Sequence, residues 1–105
     1  MVVVFEKTYL RELFETGSVT DKKHRFQPDI VKRYQKRIEM LKAAPTKETL
    51  FQFRSLNFEA LSGDKAGLYS IRVNDKYRVE FTLNTDDKHP TITICNIVEL
   101  SNHYD

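Results

Sequence analysis

The stretch Leu68-Tyr69-Ser70-Ile71-Arg72-Val73-Asn74-Asp75-Lys76-Tyr77-Arg78-Val79-Glu80-Phe81 decides the fold. Tyr69, Ile71, Val73, Tyr77, Val79 and Phe81 recur at every second position, the period of a strand with one apolar face. Ser70, Arg72, Arg78 and Glu80 must then point the other way. The loop Asn74-Asp75-Lys76 turns the chain, so the stretch reads as a β-hairpin. If Val73 pairs with Tyr77, Ile71 meets Val79 and Arg72 lands directly opposite Arg78. Like charges facing each other across a ladder destabilise it. A carboxylate such as Glu80, or a bound phosphate, lying between the two would relieve that cost, and this polar face therefore reads as an anion holder.

Working outward, a third strand is expected over residues 91–100, after a polar loop at 84–90. On the other side, residues 56–64 read as irregular and residues 46–53 as a brief helical turn. Pro45 closes the helix before it. That helix, over residues 29–44, has one apolar stripe made by Ile30, Val31, Tyr34, Ile38 and Leu41, while Lys32, Arg33, Lys36, Arg37 and Lys42 face elsewhere. Pro28 is well placed at its first turn. A polar loop over residues 18–27 carries Asp21-Lys22-Lys23-His24-Arg25, and Gly17 ends a short helix over residues 8–15 built on Tyr9, Leu10, Leu13 and Phe14. Val2–Phe5 is a β-branched run suited to a buried strand. The order of strand, helices and antiparallel sheet indicates an α+β fold with helices packed on one sheet face.

The 105 residues suffice for one domain and one core, and no repeat, low-complexity tract or linker divides them. With 17 basic against 15 acidic side chains, the net charge of +2 does not by itself mark a nucleic-acid binder, so clustering of charge must carry any such case. Cys95 is the single cysteine, in the apolar run Ile92-Thr93-Ile94-Cys95-Asn96-Ile97-Val98, and reads as a core residue in a reducing compartment. No apolar run approaches membrane-spanning length, and the opening Met1-Val2-Val3-Val4-Phe5 is too short for a signal-peptide core. These features lead to the expectation of a cytoplasmic protein. His24 and His89 are lone loop histidines without a second ligand at metal spacing, and no Gly-rich phosphate loop, Cys-Cys pair or serine-nucleophile motif is present. No metal and no cofactor is expected.

Leu61-Ser62-Gly63-Asp64-Lys65-Ala66-Gly67-Leu68-Tyr69-Ser70-Ile71-Arg72-Val73, followed by Tyr77-Arg78-Val79-Glu80-Phe81, resembles a stretch typical of the RelE/ParE superfamily of bacterial toxins, and most closely its HigB-type members. The run from Phe5 to Gly17 is similar to the family's opening. The resemblance covers essentially the whole chain and implies the RelE-like microbial RNase fold. It also implies ribosome-dependent mRNA cleavage, in which a 2′-hydroxyl attacks the adjacent phosphate and the 5′-oxygen leaves. Such chemistry needs an in-line arrangement of the RNA, cations at the phosphate, and groups that take and give a proton. Arg72 and Arg78 match the family's arginine positions, and guanidinium groups stay charged and grip phosphate through two hydrogen bonds.

For proton transfer, HigB-type toxins commonly end in Asp-Tyr-His, whereas this chain reads Asn102-His103-Tyr104, closer to the terminal His-Tyr of YoeB-type toxins. His103 and Tyr104 are the acid/base candidates on that resemblance. Where HigB-type proteins carry a histidine and a lysine three residues on, this chain has Glu59 and Ser62. Glu59 is a further candidate base, as in YoeB-like enzymes, and Lys65 is a substitute for the lysine charge. Lys22, Lys23, Arg25, Lys32, Arg33, Lys36 and Arg37 are candidates for RNA phosphate contact, with a solvated helix face as the plain alternative. The partners implied are the ribosome and its mRNA, and a HigA-like helix-turn-helix antitoxin. The alternatives are a ParE-like inhibitor of DNA gyrase and a catalytically inactive toxin homologue, since fold does not fix function.

Overall fold

The computed structural model describes residues 1–102. Five strands form one sheet in the order β1-β5-β4-β3-β2, with β1 at Val2–Phe5, β2 at Glu59–Ala60, β3 at Tyr69–Arg72, β4 at Tyr77–Thr85 and β5 at Thr93–Asn102. The helices are α1 at Thr8–Thr16, α2 at Pro28–Ala43 and α3 at Lys47–Leu50. The fold is α+β, as the sequence order indicates.

Local rules account for the helices. Gly17 stands at φ 78° just past α1, where its N–H reaches the Leu13 carbonyl at 3.1 Å, a left-handed cap that favours glycine. The Gln35 amide, from α2, donates to the carbonyls of Leu13 and Phe14 and so covers the remaining end of α1. Pro28 opens α2, and the whole stripe Ile30, Val31, Tyr34, Ile38 and Leu41 is buried. Tyr34 is fully buried yet leaves no orphan hydroxyl, because it donates to the Leu10 carbonyl at 2.8 Å and so ties α2 to α1. Truncating a core residue such as Ile38 to alanine costs about 2–5 kcal/mol at sites of this kind. Among the described residues no helix is long and apolar enough to cross a membrane.

The hairpin adopts the expected register, with Ile71 opposite Val79 and Arg72 opposite Arg78. Three expectations change. The sheet is mixed rather than antiparallel, because β1 runs parallel to β5, Val3 lying beside Cys95. A parallel neighbour needs a long crossover, and α1, α2 and the remaining strands supply it. Nor is β1 a buried strand: it lies at the sheet edge, and Val2 and Val4 are exposed. The segment read as irregular contains β2, whose two residues pair with Ser70 and Tyr69 at the opposite edge. So short a strand has no period of its own to read. Cys95 is buried in the core as expected, and burial pushes its thiol up to about 12.

Candidate active site

The register of the β3–β4 hairpin is set locally. The Asn74 side-chain oxygen accepts from the backbone N–H of Lys76 at 2.9 Å and of Tyr77 at 2.8 Å, and the Val73 N–H reaches the Tyr77 carbonyl at 2.9 Å. A slip of one residue in either strand would send its arginine to the apolar face, where Ile71, Val79 and Phe81 are fully buried. The turn therefore fixes where the guanidinium groups emerge.

On the polar face the two arginines have different surroundings. The Arg78 side chain is only 14% exposed and donates from Nη1 to Glu59 at 2.7 Å and to the Ser70 hydroxyl at 3.2 Å. Glu59 reaches it from β2, where it stands opposite Ser70. Arg72 is exposed and forms an ion pair with Asp75, three residues on in the turn. Glu80 does not lie between the arginines. It is buried, accepts from the Lys65 ammonium at 2.7 Å and from the Ser101 hydroxyl at 3.0 Å, and Lys65 is thereby turned toward the sheet. The expectation that Glu80 screens the arginine pair is corrected: Glu59 and Asp75 do so, from other elements. Nor is the polar face uniformly solvated, since Ser70 and Glu80 are both buried. Hydrogen bonding makes that burial tolerable.

Asn57, Ser70, Arg72, Tyr77 and Arg78 line a notch of about 160 Å³ on this face. Sequence reading did not single out Asn57. Its backbone is left-handed, at φ 44°, a conformation that asparagine tolerates better than most residues. The tolerance is the one signal the sequence offered. Strand β5 ends at Asn102, opposite Tyr77, with Ser101 opposite Arg78. His103 and Tyr104 follow Asn102 in the chain and lie outside the described residues.

The remaining basic candidates separate into groups. Arg25 and Arg33 line a cleft that also contains Arg72, while Lys32, Lys36 and Arg37 border a shallower groove beside Phe14 and Met40. Lys22 and Lys23 sit with His24 in a one-turn 3-10 helix, held by the Asp21 side chain, which accepts from the Lys23 N–H at 2.9 Å. The Arg37 guanidinium donates from Nε to the Arg72 carbonyl at 2.8 Å. Burial, followed by the charges of Arg33 and Arg72, lowers its pKa below the ordinary arginine value. His24 stacks on Tyr9 with ring centroids 3.7 Å apart, and its Nδ1 lies 2.8 Å from Asp21. Among the described residues no three histidine, cysteine or carboxylate side chains come together as a metal site.

The family model described as the RelE-like toxin of type II toxin-antitoxin system HigB matches residues 3–93. No curated protein matches by sequence. Among solved structures, the YoeB/ParE toxin from Agrobacterium tumefaciens superposes with a TM-score of 0.63 at 18% identity, covering 99% of this chain and 100% of that one. A YoeB-YefM complex from Staphylococcus aureus gives 0.55 at 22% identity, covering 99% and 98%. A YafQ point mutant from E. coli gives 0.53 at 10% identity, covering 96% and 91%. These likenesses show that the fold is shared. The family match spans most of the chain, including Glu59, Arg72 and Arg78, and ends before His103 and Tyr104. The chain belongs to the HigB-like family of RelE-like toxins.

Proposed function

We propose that this member of the HigB-like toxin family is a ribosome-dependent mRNA endonuclease that acts in the cytoplasm and is held inactive by a HigA-like helix-turn-helix antitoxin. The observation that carries the reading is the rung on which Arg72 stands opposite Arg78, above a notch shared with Asn57 and Ser70. Two cations aimed at one small space are arranged for one phosphate.

In the proposed reaction the RNA supplies its own nucleophile, the 2′-hydroxyl, so no metal-bound water is required. Negative charge moves onto the phosphate oxygens, and the 5′-oxygen leaves. Arg78, held by Glu59 and Ser70, is a cation already in place when that charge develops, and so needs no reorganisation. Arg72 has a different part. Its pair with the highly exposed Asp75 is a surface contact of small net value, readily exchanged for a phosphate oxygen. Glu59 binds Arg78 through Oε1, and Oε2 is the atom proposed to take the 2′-hydroxyl proton. His103 and Tyr104 are the proposed alternatives for proton transfer, with the leaving oxygen as the site of protonation. Lys22, Lys23, Arg25, Lys32, Arg33, Lys36 and Arg37 supply phosphate contacts to mRNA or ribosomal RNA in this reading.

Primer extension on a translated message after brief induction tests it. Cuts within codons are expected for the wild type and none for Arg78→Ala. Growth arrest with uncut messages would remove the nuclease reading, and loss of supercoiling by purified gyrase in the presence of the protein would replace it with gyrase inhibition.

A further inference from the structure

Beside the arginine notch lies a larger open cleft, about 620 Å³, between the start of α2 and the β3–β4 turn. Arg72, Asn74, Asp75 and Tyr77 border both spaces, so the two adjoin at Arg72. The cleft volume falls in the range of small-ligand sites, roughly 300–1,000 Å³. Phe26 meets Tyr77 edge to face at 5.6 Å in its lining, which gives it an aromatic wall. Arg25, Arg33, Arg72 and Lys76 border it against the carboxylates of Asp29 and Asp75, an excess of positive charge. Behind Arg72 stands Arg37, whose hydrogen bonds run to the Arg72 carbonyl and the Met40 sulfur rather than to a carboxylate. Burial first, and then the crowding of its guanidinium by Arg33 and Arg72, lowers its pKa. A bound anion would relieve this crowding.

We propose that this cleft is a second nucleotide subsite, holding the nucleotide one step beyond the scissile pair on the same RNA strand, with its phosphate between Arg33 and Arg72 and its base against Phe26 and Tyr77. The proposal rests on the endonuclease reading and adds to it a way of holding the strand in line. An aromatic wall bordered by cations is the general form of a sequence-tolerant site for single-stranded nucleic acid, because every base has a stacking face and every residue a phosphate. Adjacency at Arg72 is what assigns the cleft to the substrate strand: one arginine borders the spaces for two successive phosphates. An acidic protein segment would use the cations but not the aromatic wall.

The test measures binding of fluorescent 2′-O-methyl RNA, which lacks the attacking hydroxyl and is not cut, as a dinucleotide and as a tetranucleotide. The purified chain is compared with Arg33→Ala, Lys76→Ala and Arg78→Ala. Arg33 is exposed on α2, and alanine is a good helix former, so this variant keeps the fold. Arg33→Ala and Lys76→Ala are expected to weaken the tetranucleotide about tenfold each and to leave the dinucleotide unchanged. Losing one phosphate contact should also flatten the salt dependence of tetranucleotide binding by about 0.7 in log–log slope. Arg78→Ala is expected to weaken both lengths. If Arg78→Ala does so while Arg33→Ala and Lys76→Ala bind both lengths like the wild type, the cleft is no subsite and the arginine notch stands. If Arg78→Ala changes neither length, or the wild type binds neither, the endonuclease reading fails and the subsite with it. If Arg33→Ala weakens binding of an oligoglutamate peptide but not of RNA, the cleft serves a protein partner and the proposal is overturned.

Discussion

Arg78 and Glu59, 19 residues apart in the chain, meet at 2.7 Å across the sheet, from the third strand in its order to the edge strand two places away. The contact gives Arg78 a different character from Arg72, its partner on the rung. Arg78 is held before substrate arrives, and the Arg72 side chain pairs with Asp75 of its own turn. A site with one fixed and one adjustable cation can grip a phosphate and still adapt as its geometry changes.

Arg78→Ala is expected to lower mRNA cleavage by about 10²–10³, the usual loss when one preorganised donor is removed. Arg78→Lys should recover only part, since an ammonium keeps the charge but lacks the guanidinium's further N–H donors, which can grip phosphate while Nη1 holds Glu59 and Ser70. Quantified primer extension with growth curves at matched expression measures both. Equal activity of Arg78→Ala and wild type would remove Arg78 from the chemistry.

Glu59→Gln separates holding from proton transfer. The amide keeps an acceptor for Arg78 but cannot take a proton, so a base at this position predicts a loss of about 10²-fold in cleavage. A variant that cuts at the wild-type rate assigns the proton step to His103 or Tyr104.

Lys65→Ala removes the ammonium from the buried Glu80 carboxylate and leaves it the Ser101 hydroxyl as a side-chain donor. An uncompensated buried carboxylate destabilises the fold, and because Lys65 is half exposed the expected cost is moderate, about 1–2 kcal/mol. Adding Glu80→Gln should recover most of it. Urea denaturation of the single and double variants measures the coupling.

Glu99 ties β5 to α1 by accepting from the Tyr9 hydroxyl and from Lys7 at 3.0 Å. Burial alone would raise its pKa, but the hydrogen bonds from Tyr9 and Lys7 outweigh that and hold it below the ordinary carboxylate value. With the folded value depressed, the contribution to stability is present above the unfolded pKa, about 4.3, and is lost as pH falls through the lower folded value. Thermal melts should therefore show Glu99→Gln less stable than wild type at pH 7, with the gap closing in strong acid. A gap that persists there would assign the effect to packing.

The buried Cys95 thiol, pushed up to about 12, should resist alkylation in the native protein at pH 8 and react once the chain is unfolded in urea. Mass spectrometry after iodoacetamide treatment distinguishes the two states.

The legible part of this fold is the part governed by neighbours in sequence. Alternation in the hairpin put Ile71 opposite Val79 and Arg72 opposite Arg78, and the stripe on α2 named the residues it buries. Pro28 and Gly17 marked helix ends because their backbone constraints act within a residue or two. Illegible were features that need distant segments: the parallel pairing of β1 with β5, and β2, too short to show a pattern. Asn57 was missed because its role depends on where its loop lies against Ser70 and the arginines.

By itself, the sequence determined that two arginines share the polar face of a hairpin, since a period of two fixes the faces, and it put them on one rung once the local turn paired Val73 with Tyr77. Only the tertiary structure decided which carboxylates neutralise them. Glu80, nearest in the strand, is turned to Lys65 and Ser101, and Glu59 crosses from the sheet edge to Arg78. The reason is physical: strand periodicity assigns a side chain to a face, but an ion pair depends on which elements the fold brings within hydrogen-bonding distance.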